Sequence, residues 1–169
     1  NLTRMESMII VACDTGLRAN EMLTLEINDL DFEQGLIHLR AKNAKKNKSR
    51  EIPMTRRVDA TLRAAVDAWT SGPLFGRARF ERSWEALKED AGVQSLNWHD
   101  LRHAFVSRAI LAGVPLTLVL QASGHSANST EWQRYCNLSK RNMLLLLLSS
   151  DLHEASVNRA CFFLRDCST

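Results

Sequence analysis

Side chains able to work on a phosphate or move a proton recur along this chain, among them Arg18, the lysines of one turn-like stretch, His99, Arg102, His125 and Tyr135. Arg18 follows directly on the break Asp14-Thr15-Gly16, at the start of a helical stretch. Glu21 lies three residues further on, on the same helical face, where a carboxylate orients a guanidinium. Lys42, Lys45, Lys46, Lys48 and Arg50 crowd one turn-like stretch, "KNAKKNKSR". In "WHDLRHAFVSRAI" (98–110), His99, Arg102 and His103 open a helix beside Trp98 and Leu101. His125 stands in "SGHS", at a turn, and Tyr135 is the chain's only tyrosine.

Taken singly, each of these has a plainer structural reading. An exposed Arg–Glu pair contributes only about 0–1 kcal/mol, a run of lysines is usually a solvated turn, and a tyrosine on a short helix fills space. His99 and His103 are four apart with Asp100 at the intervening acid position, the pattern of an HExxH zinc site. Arg102 would then set a positive charge beside the metal, and no third ligand is evident, so a zinc hydrolase ranks third among the readings. A phenol titrates near ~10 and needs cationic neighbours or a base to attack at neutral pH.

Taken together, the set has a common chemistry. Two arginines, a hairpin lysine, two histidines and a late tyrosine, with no carboxylate cluster for divalent metals, suit metal-free attack on a phosphodiester. Guanidinium groups bind nonbridging phosphate oxygens bidentately. Their fixed charge stabilises the extra negative charge of a five-coordinate transition state.

The elements that position these residues are legible in outline. The chain has 169 residues, of which 45% are hydrophobic, enough for one domain with a real core. Its net charge of +3 is mildly basic, a weak argument for a polyanionic partner. Cys13, Cys136, Cys161 and Cys167 show no CxxC spacing and no zinc pattern, and read as reduced thiols of a cytoplasmic protein. The longest apolar run, Met143 to Leu148, is too short to span a bilayer, and no signal peptide opens the chain. A helical pattern is already under way at Asn1, so the chain is expected to be part of a longer protein.

Apolar residues at helical spacing predict helices over 2–13 and about 17–25. A third, capped by Thr55, carries the stripe Val58, Leu62, Ala65, Val66 and Trp69. A fourth carries Phe80, Trp84 and Leu87 and stops near Gly92. The 98–110 helix presents Leu101, Phe105 and Ala109 and ends at Gly113, and a short helix follows Pro115 through Gln121. Residues 28–33 read as an edge strand or turn, while "LIHLR" and "REIPM" alternate as two strands of a hairpin with a basic loop. Ser139 starts a leucine-rich terminal helical tail, 139–169. The fold class is α+β, mainly α-helical with a small antiparallel β-sheet, as a single domain over 1–169.

"TGLRANEMLTL", "AKKNKSREIPM", "HDLRHAF", "SGHS" and "RYCNLS" occur in the order and rough spacing of one family. From about residue 2 to 140 the chain resembles the catalytic domain of tyrosine recombinases, the phage-integrase family. The resemblance implies the DNA breaking–rejoining fold and a role for each motif residue. Arg18 and Arg102 resemble the two arginines that clamp the scissile phosphate, and His99 the histidine that assists proton transfer near the nucleophile. Lys45 resembles the hairpin lysine that protonates the leaving 5′ oxygen, with Lys42 a competitor for that role. His125 resembles the later histidine that hydrogen-bonds the phosphate, and Tyr135 the nucleophile that forms a 3′-phosphotyrosine link. Glu21 then supports Arg18, Asp100 and His103 stand behind the phosphate-facing groups, and Lys42, Lys46, Lys48 and Arg50 lie along the DNA backbone.

The chain departs from the family's pattern in three places. His125 to Tyr135 is ten positions, one more than usual; Ala104 stands where a threonine is common; the tail from Met143 is leucine-rich rather than polar. The implied activity is site-specific recombination or integration without metal or cofactor, acting on double-stranded DNA as a homotetramer, the isolated chain being monomeric. The family's N-terminal core-binding domain is expected to be absent from this chain. The alternative is a DNA-binding protein of the same fold that has lost strand transfer, suggested by the lengthened His125–Tyr135 spacing.

Overall fold

The computed structural model describes residues 3–40 and 49–124. Lys42, Lys45, Lys46, Lys48, His125, Tyr135 and the 139–169 tail lie outside them.

The chain opens on helix α1 (Arg4–Thr15), started by Thr3, whose hydroxyl accepts from the Glu6 N–H while Glu6 reaches back to the Thr3 N–H. Asp14 and Thr15, expected to break this helix, complete its last turn instead. The chain turns only at Gly16, where φ is 66°, a left-handed cap that glycine adopts without strain. Helix α2 (Ala19–Leu23) follows at once. A single 3-10 turn, Ile27–Asp29, leads to an antiparallel sheet of strands β1 (Leu30–Asp31), β2 (Leu36–Leu39) and β3 (Arg50–Pro53) in that order. Register is fixed by Leu30 opposite Ile37 and Ile37 opposite Ile52.

Helix α3 (Arg56–Asp67) is capped by the Thr55 hydroxyl on the Val58 N–H. It stops before Trp69, which is 40% exposed rather than part of the apolar stripe; its indole donates to the Gly72 carbonyl at 2.8 Å. Helices α4 (Phe80–Ala91), α5 (Trp98–Leu111) and α6 (Leu116–Ser123) complete the described fold, α4 and α6 ending on left-handed Gly92 and Gly124.

The core is built on α1, with Met8, Val11 and Ala12 fully buried and α3 and α5 packed against it. Val58 and Leu62 bring α3 in; Leu101 brings α5. Phe80 and Trp84 each meet Trp98 edge-on, ring centroids 5.1 Å apart, which seats α4 against the residue just before His99. Farther along α5, Val106 packs on Val119 of α6, with Phe105 and Ala109 half-buried around them. Thus the first turn of α5 and the end of α6 are both tied to the α1–α2 break. Among the described residues, no helix is long and apolar enough to cross a membrane.

Candidate active site

Arg18 is the residue before α2 and has extended backbone, so its N–H has no partner within the helix. Glu21 supplies one: its Oε2 accepts from the Arg18 N–H at 2.9 Å. The same carboxylate takes the Arg18 guanidinium, Nη1 to Oε1 at 3.1 Å. The other end of that guanidinium, Nη2, donates to the Gly124 carbonyl at 3.1 Å, the residue next to His125.

Glu21 is 1% exposed, so its charge has lost its water and depends on these donors. Two more come from Arg50, bidentate through Nη1 to Oε1 at 2.9 Å and Nη2 to Oε2 at 2.8 Å. Burial pushes the Glu21 carboxyl up; the hydrogen bonds and charge of Arg50, and after them those of Arg18, outweigh it and hold it below the usual carboxylate range.

Arg50, expected to lie along the DNA backbone, is instead turned inward onto Glu21. Its side chain is 9% exposed, and its Nε donates to the Ala122 carbonyl at 2.9 Å. The reason is strand parity. Arg50 shares a face of β3 with Ile52, which is 1% exposed, whereas Glu51 and Pro53 face solvent. A close approach at Gly124 completes the seat: a Cβ there would stand 3.0 Å from Arg50 Cζ.

Arg102, which the resemblance makes a clamp on an incoming phosphate, is buried, at 1% exposure. Its Nη1 donates at 2.7 Å to the Gly16 carbonyl, at the electronegative C-terminal end of α1. Arg108, one and a half turns on, reaches the Cys13 carbonyl at the same end. Two arginines of α5 thus close the C-terminus of α1, and that interaction draws Arg102 inward while His99 stays at the surface. The half-buried His103 stacks edge-on against His99, ring centroids 4.6 Å apart. Asp100 Oδ2 accepts from the Asn97 N–H at 2.7 Å and so fixes the start of α5. Among the described residues, no three His, Cys, Asp or Glu side chains stand together as metal ligands would.

The structure brings Arg18, Glu21, Arg50 and Arg102 to one place, the Gly16–Arg18 break, with the end of α6 against it. The sequence reading missed Arg108 and the inward role of Arg50. Alternation along β3 carried the signal for the second; nothing in the spacing of Arg108 carried one for the first.

Known proteins share this arrangement of elements. The tyrosine recombinase XerA of Pyrococcus furiosus is 27% identical over 149 residues, a match covering 80% of this chain and 51% of that protein. The crystal structure of a XerA recombinase superposes with a TM-score of 0.69 at 25% identity, covering 90% of this chain and 59% of the other. The Tn1549 transposon integrase, solved in complex with circular intermediate DNA, gives a TM-score of 0.67 at 17% identity over 89% of this chain and 58% of its own, a likeness of fold. The chain spans about half the length of the curated relatives it matches. The model of the phage integrase family matches residues 1–142, from the start of α1 past Tyr135. A helical domain with a three-stranded sheet, two arginines meeting at one break and a match over most of its length place this chain in the phage integrase family.

Proposed function

We propose that this chain is the catalytic domain of a site-specific DNA recombinase or integrase, cleaving and rejoining strands without metal. The Tyr135 phenol oxygen attacks the scissile phosphorus and the bond to the 5′ oxygen breaks, leaving a 3′-phosphotyrosine link. Lys45 protonates the departing 5′ oxygen, and His99 assists loss of the phenol proton. Arg18 holds the nonbridging oxygens as charge builds on them, Arg102 adds its fixed positive charge from its buried seat on the Gly16 carbonyl, and His125 donates a further hydrogen bond. Because the phosphotyrosine keeps the phosphodiester's energy, the 5′ hydroxyl of a second strand reverses the step without ATP. The working assembly is a tetramer on DNA in the cytoplasm, with a separate N-terminal domain closing on the far side of the duplex.

The observation that carries this reading is the convergence on one break. Arg102 bonds the Gly16 carbonyl, Arg18 starts two residues later, and its guanidinium reaches the residue before His125. The DNA complex of the Tn1549 integrase supports double-stranded DNA as the partner.

The test is covalent capture. The chain is incubated with a pool of nicked duplexes of randomised sequence, the protein is denatured, and attached DNA is recovered. The expected result is adduct with phosphate on the Tyr135 peptide by mass spectrometry, and none from Tyr135→Phe. DNA binding without adduct from the unaltered chain overturns strand transfer and leaves a binding protein of this fold.

A further inference from the structure

A lone Arg18–Glu21 pair is electrically neutral. Such a pair orients a guanidinium well but gives an approaching phosphate little net field, because the carboxylate lies 3.1 Å from the cation it cancels. The structure holds a second cation on that carboxylate. Arg50 binds both oxygens of Glu21 at 2.8 and 2.9 Å and is 9% exposed, whereas Arg18 makes one longer contact through its guanidinium and is 24% exposed. Two positive charges against one negative leave one positive charge, and it resides on the side that is open.

We propose that Arg50 is a positioning residue for strand cleavage: it neutralises Glu21, so that Glu21 can orient Arg18 without cancelling the charge Arg18 brings to the scissile phosphate. The inference rests on the strand-transfer reading above. Arg50 touches no part of the DNA in this account. It acts through Glu21, and through the Ala122 carbonyl it holds the end of α6, so that the Gly124 carbonyl meets Arg18 Nη2. A lysine keeps the charge and loses the fork. A methionine of similar reach loses both and leaves a buried carboxylate short of two donors.

The experiment uses a duplex recovered by the covalent capture, made with either the native scissile phosphate or a methylphosphonate at that position. A methylphosphonate lacks the negative charge that Arg18 neutralises. Single-turnover adduct formation is followed at saturating DNA for the unaltered chain, Arg50→Lys, Arg50→Met and Arg50→Met with Glu21→Gln, at a temperature where circular dichroism shows each folded. Arg50→Met is expected to slow cleavage of the native phosphate about 100-fold, the scale of losing one transition-state donor. The same variant slows the methylphosphonate less than about 10-fold, since little charge is left to neutralise. Adding Glu21→Gln removes the uncancelled carboxylate and restores about 10-fold of the loss, and Arg50→Lys keeps most of the rate.

An equal loss on both substrates overturns the proposal, because it marks fewer folded molecules rather than a weakened clamp. Native cleavage within twofold of the unaltered chain does the same. If the unaltered chain forms no adduct in the capture, the strand-transfer reading falls and this inference with it. If it forms adduct and Arg50→Met matches it, only the inference falls.

Discussion

Two clusters with the same charge formula flank the Gly16 break, each joining two arginines through one carboxylate. On one side Glu21 holds Arg18 and Arg50. On the other Asp14 holds Arg57, through Nη2 at 2.5 Å and Nε at 2.9 Å, and Arg108 at 3.4 Å, with the Thr55 hydroxyl donating at 3.2 Å. They differ in water. Glu21 is 1% exposed and Asp14 11%, and their outer partners, Arg18 and Arg57, are 24% and 45% exposed. In the first cluster the carboxylate has no solvent to fall back on and depends on its arginine donors. In the second, water takes over whatever a substitution removes. The first can therefore hold a guanidinium for chemistry, while the second tacks the ends of α1, α3 and α5 together.

The largest expected effect comes from removing each carboxylate in turn. Glu21→Ala strands Arg50 at a nearly buried position with no counter-charge, the situation in which losing one partner costs about 3–5 kcal/mol. For a chain of this size that lowers the melting temperature by roughly 10 °C. Asp14→Ala leaves Arg57 in water and is expected to cost about 1 kcal/mol. Thermal unfolding of the two variants side by side checks the contrast; equal losses would show that burial does not separate the clusters.

How much of this was readable in the sequence depends on the kind of signal. The helices followed from apolar spacing, and Thr55 and Gly92 marked ends that the structure places where residue chemistry put them. The hairpin strands followed from alternation through Ile37, Leu39 and Ile52, all buried. The motif residues around the break were legible as a set, since Arg18, Glu21 and Arg102 meet there. Their depth was not. The crowd of basic residues around Arg50 suggested a phosphate surface, although the parity shared with Ile52 pointed inward; composition overrode period. Arg102 was misjudged because nothing local tells that the carbonyl end of α1 lies against α5. Trp69 was misjudged because helix spacing persists in the letters past the point where α3 ends. Burial of a charge is set by tertiary partners, which one-dimensional spacing does not contain.

Acid sharpens the comparison further. The folded Glu21 carboxyl titrates below its ordinary range, so the folded chain binds a proton there less readily than the unfolded one, where glutamate titrates near ~4.3. The stability that Glu21 contributes is therefore complete above that pH and drains away as pH falls below it, through the folded value. Glu21→Gln has nothing to protonate at this position. Its free energy of unfolding, measured by urea titration from about pH 6 down to about pH 3, is expected to fall less steeply than that of the unaltered chain. Parallel slopes would mean that the Arg50–Glu21–Arg18 contacts do not persist in solution.

The smallest effect belongs to Arg57. Arg57→Ala removes a guanidinium that is 45% exposed from a carboxylate that still has Arg108 and Thr55 beside it. The expected loss is about 0.5 kcal/mol, a melting shift of roughly 2 °C or less. It should also shrink in salt, since at about 1 M the screening length is near 3 Å and an exposed pair is largely masked. Arg57 bonds Asp14 rather than Arg18, Glu21, Arg50 or Arg102, so adduct formation by Arg57→Ala should match the unaltered chain. A loss above about 2 kcal/mol that persists in salt would place the Asp14 cluster with the Glu21 cluster as a buried network. The distinction between a carboxylate that holds a site and one that holds a surface would then have to rest on something other than exposure.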